Sequence, residues 1–316
     1  MHVGVAVPQS WDQPERSLGN LRRFVTTAEA GGLDGLWVQE QLLGADPSFE
    51  PLATLAYVAG ITSRIRLAAA GFVAPLRPAL GLAKALATLD QLSLGRLDVG
   101  LVLGEMPAAF DAGGVPWRER SARLEDTVQV LRALWSGGPV THRSPFGDYR
   151  DARLTPVPVQ SGGPPIWIGA KKGAALDRVA RLADGWIGAG GSSITDWQRS
   201  LGELRERCAV HGRSDLRIGK KVYLWLDEDQ RRAESRLAAW FAVHWSVADG
   251  GELARRVGVA GSPRRAAELL AGLVSAGADT IVLNPVGDEL RQLELITGEL
   301  LPELEALIPA GASVSS

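Results

Sequence analysis

Residues 79–105, ALGLAKALATLDQLSLGRLDVGLVLGE, decide the fold. Leu82, Leu86, Leu89 and Leu92 recur at the spacing of one helix face, whereas Leu97, Val99, Leu101 and Leu103 alternate at the period of a strand. The period changes at Gly95, which suits a left-handed residue just past a helix, and only Arg96 separates it from the strand. The two elements therefore lie antiparallel and close, as half of a βαβ unit. A helix feeding a short apolar strand predicts a parallel sheet, and ligands of such sheets gather where the strands end. On that rule Arg96, at the strand start, is structural and paired with Asp90. Gly104 and Glu105, at the strand end, are candidate site residues.

A chain of 316 residues is long for one domain, but α/β barrels run to this length as single units. One domain over 1–309 is expected, followed by a flexible tail over 310–316. Apolar residues make up 46% and charged residues 22%, which predicts a large core. A formal charge of −2 provides no electrostatic footprint for nucleic acid or a membrane surface. Cys208, the single cysteine, continues the apolar helix positions Leu201 and Leu204, and no disulfide can form within the chain. The N-terminus runs into an apolar segment without a basic leader, and no apolar run approaches the roughly 18 residues of a membrane span. A soluble, cytoplasmic protein is the expectation.

Outward from the central unit, strands are predicted at 2–7, 35–38, 65–70, 166–168, within 184–193, at 216–226 and at 279–283, with helices between them. The second strand ends on Gln39, Glu40 and Gln41. The third carries alanines and then Gly71; residues this small in a strand mark either a floor that something approaches closely or a tight barrel interior. Gly169, Ala170, Lys171, Lys172, Gly173 and Ala174 follow the fifth strand at a helix start, where free N–H groups and two lysines form an anion pocket suited to phosphate. Gly188, Ala189, Gly190, Gly191 and Ser192 form a second glycine-rich turn that grips the same group from the other side.

Three further stretches carry expectations. Arg118, Arg120 and Arg123 crowd the start of a helix over 117–135, either binding an anion or pairing with Glu119 and Glu125. Residues 137–165, rich in Gly and Pro, read as an insertion near the mouth of the site. Trp240, Phe241 and His244 share a helix face, as core, as an oligomer contact or as part of a substrate lid together with Trp245. The four histidines show no paired ligand spacing, so no metal site is expected and a metal-assisted hydrolase or aldolase is disfavoured.

The sequence resembles the bacterial-luciferase-like superfamily of flavin- and F420-dependent oxidoreductases. The likeness rests on residues 82–96, on Val115–Arg120, Pro164–Ala170, Ala183–Trp186, Gly261–Pro263 and Ala276–Leu283. It implies a (β/α)8 TIM barrel with insertion segments that binds FMN or the deazaflavin coenzyme F420 at the C-terminal strand ends. It also implies a non-prolyl cis peptide near Ala70 and Gly71 behind the ring, and a phosphate grip at Gly169–Ala174 and Gly188–Ser192. Glu105 directly after Gly104 is similar to the deazaflavin-dependent dehydrogenase branch, so F420 is expected. An FMN-dependent monooxygenase or a non-catalytic flavin-binding relative is the alternative. Many relatives end the second strand with Asp-His, where this chain has Glu40 and Gln41. Acid or base work then passes to Glu40 or Glu105, with burial beside Trp37 and Met106 raising the carboxyl pKa. A small-molecule substrate, a separate cofactor reductase and a homodimer are the implied partners.

Overall fold

Eight parallel strands close into a ring in a computed structural model that describes residues 1–9, 14–44, 47–245, 247 and 249–308. The tail expected over 310–316 lies outside the described residues. The strands are β1 (His2–Ala6), β2 (Gly35–Val38), β3 (Arg66–Ala69), β4 (Leu97–Val102), β5 (Ile166–Gly169), β6 (Gly185–Gly188), β7 (Arg217–Leu226) and β8 (Thr280–Pro285). Each pairs with the next, and β8 returns to β1 with His2 opposite Thr280. The outer helices include α1 (Pro14–Ala30), α2 (Pro51–Ile61), α3 (Ala79–Leu92), α4 (Arg120–Trp135), α5 (Ala174–Leu182), α6 (Ile194–Val210), α7 (Gln230–His244) and α8 (Pro263–Ala276). This is the (β/α)8 barrel expected. No helix among the described residues is long and apolar enough to cross a membrane.

Local chemistry explains the boundaries. The Glu50 carboxylate accepts the Ala53 N–H at 2.7 Å before Pro51 opens α2, and Ser193 Oγ accepts the Asp196 N–H at 3.0 Å at the start of α6. The stop after α3 takes two left-handed residues, Leu94 (φ 55°) and Gly95 (φ 79°), rather than the glycine alone.

The barrel interior is layered. At the strand starts Asp98 accepts from Arg66 Nε at 2.6 Å and from Arg217 Nη2 at 2.8 Å. Above it Trp37 and Trp167 meet edge to face, with centroids 5.6 Å apart. Glycines make room for them: a Cβ on Gly4 would lie 2.5 Å from Trp37 Nε1, and one on Gly185 2.4 Å from Trp167 Cε3. The upper end, at the C-terminal ends of the strands, is open.

Several expectations need correction. Arg96 is structural but does not pair with Asp90; it donates to Thr62 Oγ1 and to the carbonyls of Ile65 and Ala59. Asp90 instead accepts from the Val159 and Gln160 N–H groups, at 2.7 and 3.0 Å. That contact also relocates residues 137–165, none of which borders the upper cleft. The segment follows a helix, so it must lead into the start of β5, and it covers the outer side of the barrel with a hairpin of Val140–Ser144 and Gly147–Ala152. Glu125 pairs with Arg178 and Arg181 rather than with the arginines of its own helix start, whereas Arg123 does pair with Glu119. A short strand, Gly258–Gly261, adds to the far end of β7 and was not anticipated, because so brief a glycine-flanked run carries no period of its own.

Candidate functional site

A cleft of about 850 Å3 opens at the C-terminal ends of the strands. Its floor is small and apolar: Ala70 beyond β3, Val102 ending β4, Gly169 ending β5 and Ile187 in β6. Phe110 and Trp117 form one wall and Tyr223 and Trp245 another. Trp245 meets Tyr223 edge to face at 5.6 Å, so the aromatic run after β7 does reach the site while Phe241 beneath it is core.

The peptide between Ala70 and Gly71 is cis. The small residues of the third strand turn out to have two causes. Ala68 packs against the tryptophan layer, while Ala70 faces the cleft. Gly71 does not border the cleft; a Cβ there would lie 2.5 Å from the Gly100 carbonyl oxygen, so it is small to let two backbones meet.

Ten of the fourteen residues anticipated around a cofactor border the cleft: Ala70, Gly104, Gly169, Ala170, Lys171, Lys172, Gly188, Ala189, Gly190 and Gly191. Gly173, Ala174 and Ser192 join Gly71 behind that surface. The Gly173 N–H donates to Glu203 Oε1 at 3.0 Å, so a carboxylate of α6 occupies the first donor of the expected anion pocket. Ser192 Oγ donates to the Ala189 carbonyl at 2.7 Å, turned into its own loop. The turn is held from below by Lys220. Its Nζ donates to the carbonyls of Ala189 (2.6 Å) and Ser192 (2.7 Å) and to Ser192 Oγ (3.0 Å), and burial pushes its ammonium pKa down to about 7.

The two carboxylates differ sharply. Glu40 has a side chain only 1% exposed. Its oxygens accept from the Arg77 guanidinium and from the Val73 N–H. Burial works against the charge of Arg77, but Glu40 and Glu50 more than reverse this and hold its pKa above the usual value. Glu105, at the rim, has an 84% exposed side chain and pairs with Lys171 Nζ at 3.0 Å. Trp37 is buried in the barrel interior and Met106 is itself exposed, so neither encloses Glu105.

Two more cationic residues border the cleft: Arg120, weighed in the sequence as an anion binder, and Lys221, which the sequence reading left unmarked. Arg120 stacks over Trp117, 3.8 Å from the ring centroid, and its Nε is buried without a hydrogen-bond partner. Lys221, 7% exposed, borders the cleft and donates to Gln39 Oε1 at 2.6 Å. A charged pair inside the apolar strand RIGKKVYLWL was the available signal, because alternation turns one of two adjacent lysines inward.

Comparison with known proteins bears on what occupies this cleft. The family model described as luciferase-like monooxygenase matches residues 1–280. The chain is 30% identical over 241 residues to the FMNH2-dependent dimethylsulfone monooxygenase of Pseudomonas fluorescens, covering 74% of this chain but 65% of that protein, just under two thirds of its length. It is also 30% identical over 319 residues to the F420-dependent glucose-6-phosphate dehydrogenase of Kineococcus radiotolerans, covering 90% of this chain and 93% of that one. Among solved structures, monooxygenase RslO1 of Streptomyces bottropensis superposes with a TM-score of 0.84 at 23% identity, over 96% of this chain and 99% of its own. That likeness concerns the fold.

Proposed function

The chain belongs to the luciferase-like monooxygenase family, whose members use FMN or F420, and from that premise we propose that it is an F420-dependent oxidoreductase acting on a small organic substrate. The residues present fit a flat redox coenzyme. Ala70, Val102, Gly169 and Ile187 offer a low apolar floor, and the glycines at 188, 190 and 191 leave no room for added side chains beside Trp197, Tyr223 and Trp245. Bound there, a deazaflavin supplies or accepts a hydride without reacting readily with oxygen.

The observation that favours F420 is Glu105 directly after Gly104 beyond the end of β4, at the cleft edge and open to water, where a carboxyl group can supply the proton that accompanies hydride transfer. Similarity to the F420-dependent glucose-6-phosphate dehydrogenase along nearly the whole of both chains supports the same reading. The FMN-dependent alternative draws on the dimethylsulfone monooxygenase.

In this account the chain's own groups divide the work. The N–H group of Ala175, left without an intrahelical partner at the start of α5, and the ammonium groups of Lys171 and Lys172 hold the acidic tail. Glu40 acts through Arg77 and Val73 to position the segment beneath the ring. Glu105 exchanges a proton between solvent and substrate at Oε. We also place a separate reductase upstream of the enzyme and a homodimer as its working form. Titration with F420 and with FMN, followed by turnover in an oxygen electrode, tests the assignment. Tight F420 binding and hydride transfer without oxygen uptake are expected; FMN binding with oxygen uptake overturns it.

A further inference from the structure

At the base of the cleft lies a buried lysine, Lys221, that no carboxylate among the described residues pairs with. Along β7 the inward positions are Gly219, which abuts Ile187 and Trp167, then Lys221, then Tyr223. Lys221 therefore stands one layer above the tryptophans, at the base of the cleft. An ammonium has three donors, and its Nζ places one on Gln39 Oε1 at 2.6 Å, a neutral amide. The Tyr223 ring lies 5.0 Å away. Among the described residues no carboxylate forms a salt bridge with it; Glu40, which borders the same cleft, is committed to Arg77 and the Val73 N–H.

Buried charges are ordinarily paired, because an uncompensated one is costly to remove from water. The counter-charge for Lys221 must then arrive with the occupant. We infer that Lys221, oriented by Gln39, is the receptor for an oxyanion carried by the molecule bound in the cleft. This rests on the cleft being the cofactor and substrate site, and it narrows the ligand chemistry. The oxyanion belongs either to the coenzyme ring, whose pyrimidine edge gains negative charge on reduction, or to a carboxylate or enolate of the substrate.

Three variants isolate the interaction. Lys221→Met keeps the length of the side chain without its charge, Lys221→Arg keeps the charge, and Gln39→Glu supplies an internal carboxylate that competes for the ammonium. Binding is read by thermal shift and by tryptophan fluorescence with benzoate, with its neutral counterpart benzamide, and with F420 and FMN in both oxidation states. The wild type should prefer benzoate or the reduced coenzymes. Lys221→Met and Gln39→Glu should weaken that binding roughly 10- to 100-fold, as expected for a charge-assisted hydrogen bond, and Lys221→Arg should restore part of it.

A loss confined to reduced coenzyme assigns the oxyanion to the ring, and a loss confined to benzoate assigns it to the substrate. The ligand-free Lys221→Met protein should keep or raise its Tm. Equal affinities of wild type and Lys221→Met for all these probes overturn the inference, as does a Tm lower by several degrees with benzoate preference intact, which marks the lysine as structural. Lys221-dependent benzoate binding in a protein that takes up neither coenzyme leaves this inference standing while the proposed function falls.

Discussion

Arg217 Nη2 lies 2.8 Å from Asp98 Oδ1 although 119 residues separate them in sequence, and Arg66 holds the other carboxylate oxygen. One buried carboxylate thus ties β3, β4 and β7 together at the strand starts. Removing it leaves two guanidinium groups facing each other without a counter-charge. Both guanidinium groups are about one-third exposed, so water screens part of that cost, and Asp98→Ala should lower the unfolding free energy by about 2 kcal/mol in urea denaturation. The upper cleft lies on the far side of the tryptophan layer, so coenzyme affinity of the folded fraction should stay unchanged.

Glu40 is a positioning group in this account. Glu40→Gln keeps the shape but weakens the Arg77 contact, and Arg77 retains Glu50 at 2.6 Å. A stability loss of about 1–2 kcal/mol is expected, together with weaker coenzyme binding. Turnover at saturating coenzyme should fall little, which distinguishes positioning from proton transfer in a comparison of kcat with coenzyme affinity.

The opposite pattern is expected at Glu105. Glu105→Gln removes only an exposed rim ion pair with Lys171, worth at most about 1 kcal/mol, so Tm should hold. Turnover should fall by roughly 100-fold if the carboxylate exchanges the proton. Unchanged kcat in steady-state assays would remove Glu105 from the mechanism.

Lys220 predicts a pH dependence of stability. Its pKa is lowered from 10.5 to about 7 by burial, so between those values the unfolded chain binds more protons than the folded one. Stability therefore rises with pH across that window, and the cost of the buried ammonium is fully present below 7. Wild type should gain on Lys220→Met as pH climbs from 7 towards 10. Urea midpoints measured over a buffer series check this; a gap independent of pH would contradict it.

The element ends were legible because the hydrophobic period changes there, as at Gly95 between α3 and β4 and again at Gly169 and Gly188, where β5 and β6 stop. The same logic was available for residues 137–165 and was outweighed by their composition. A segment between a helix and the next parallel strand lies at the strand start whatever its glycine and proline content. Other features depend on distant partners. Glu203 reaching the Gly173 N–H and Gln39 reaching Lys221 join positions 30 and 182 residues apart, and no local pattern reports such meetings. Glu40 and Glu105 looked equivalent as acidic residues at strand ends. Only the fold separates the one sealed by Arg77 from the one open to water.

The central claim is that a flat redox ring lies on the floor made by Ala70, Val102, Gly169 and Ile187. A crystal structure of the protein grown with F420 tests it most directly. The account predicts the deazaflavin ring against those four residues, with its acidic tail running towards Lys171 and Ala175. Density for the coenzyme elsewhere, or a floor filled by side chains in its presence, would contradict it.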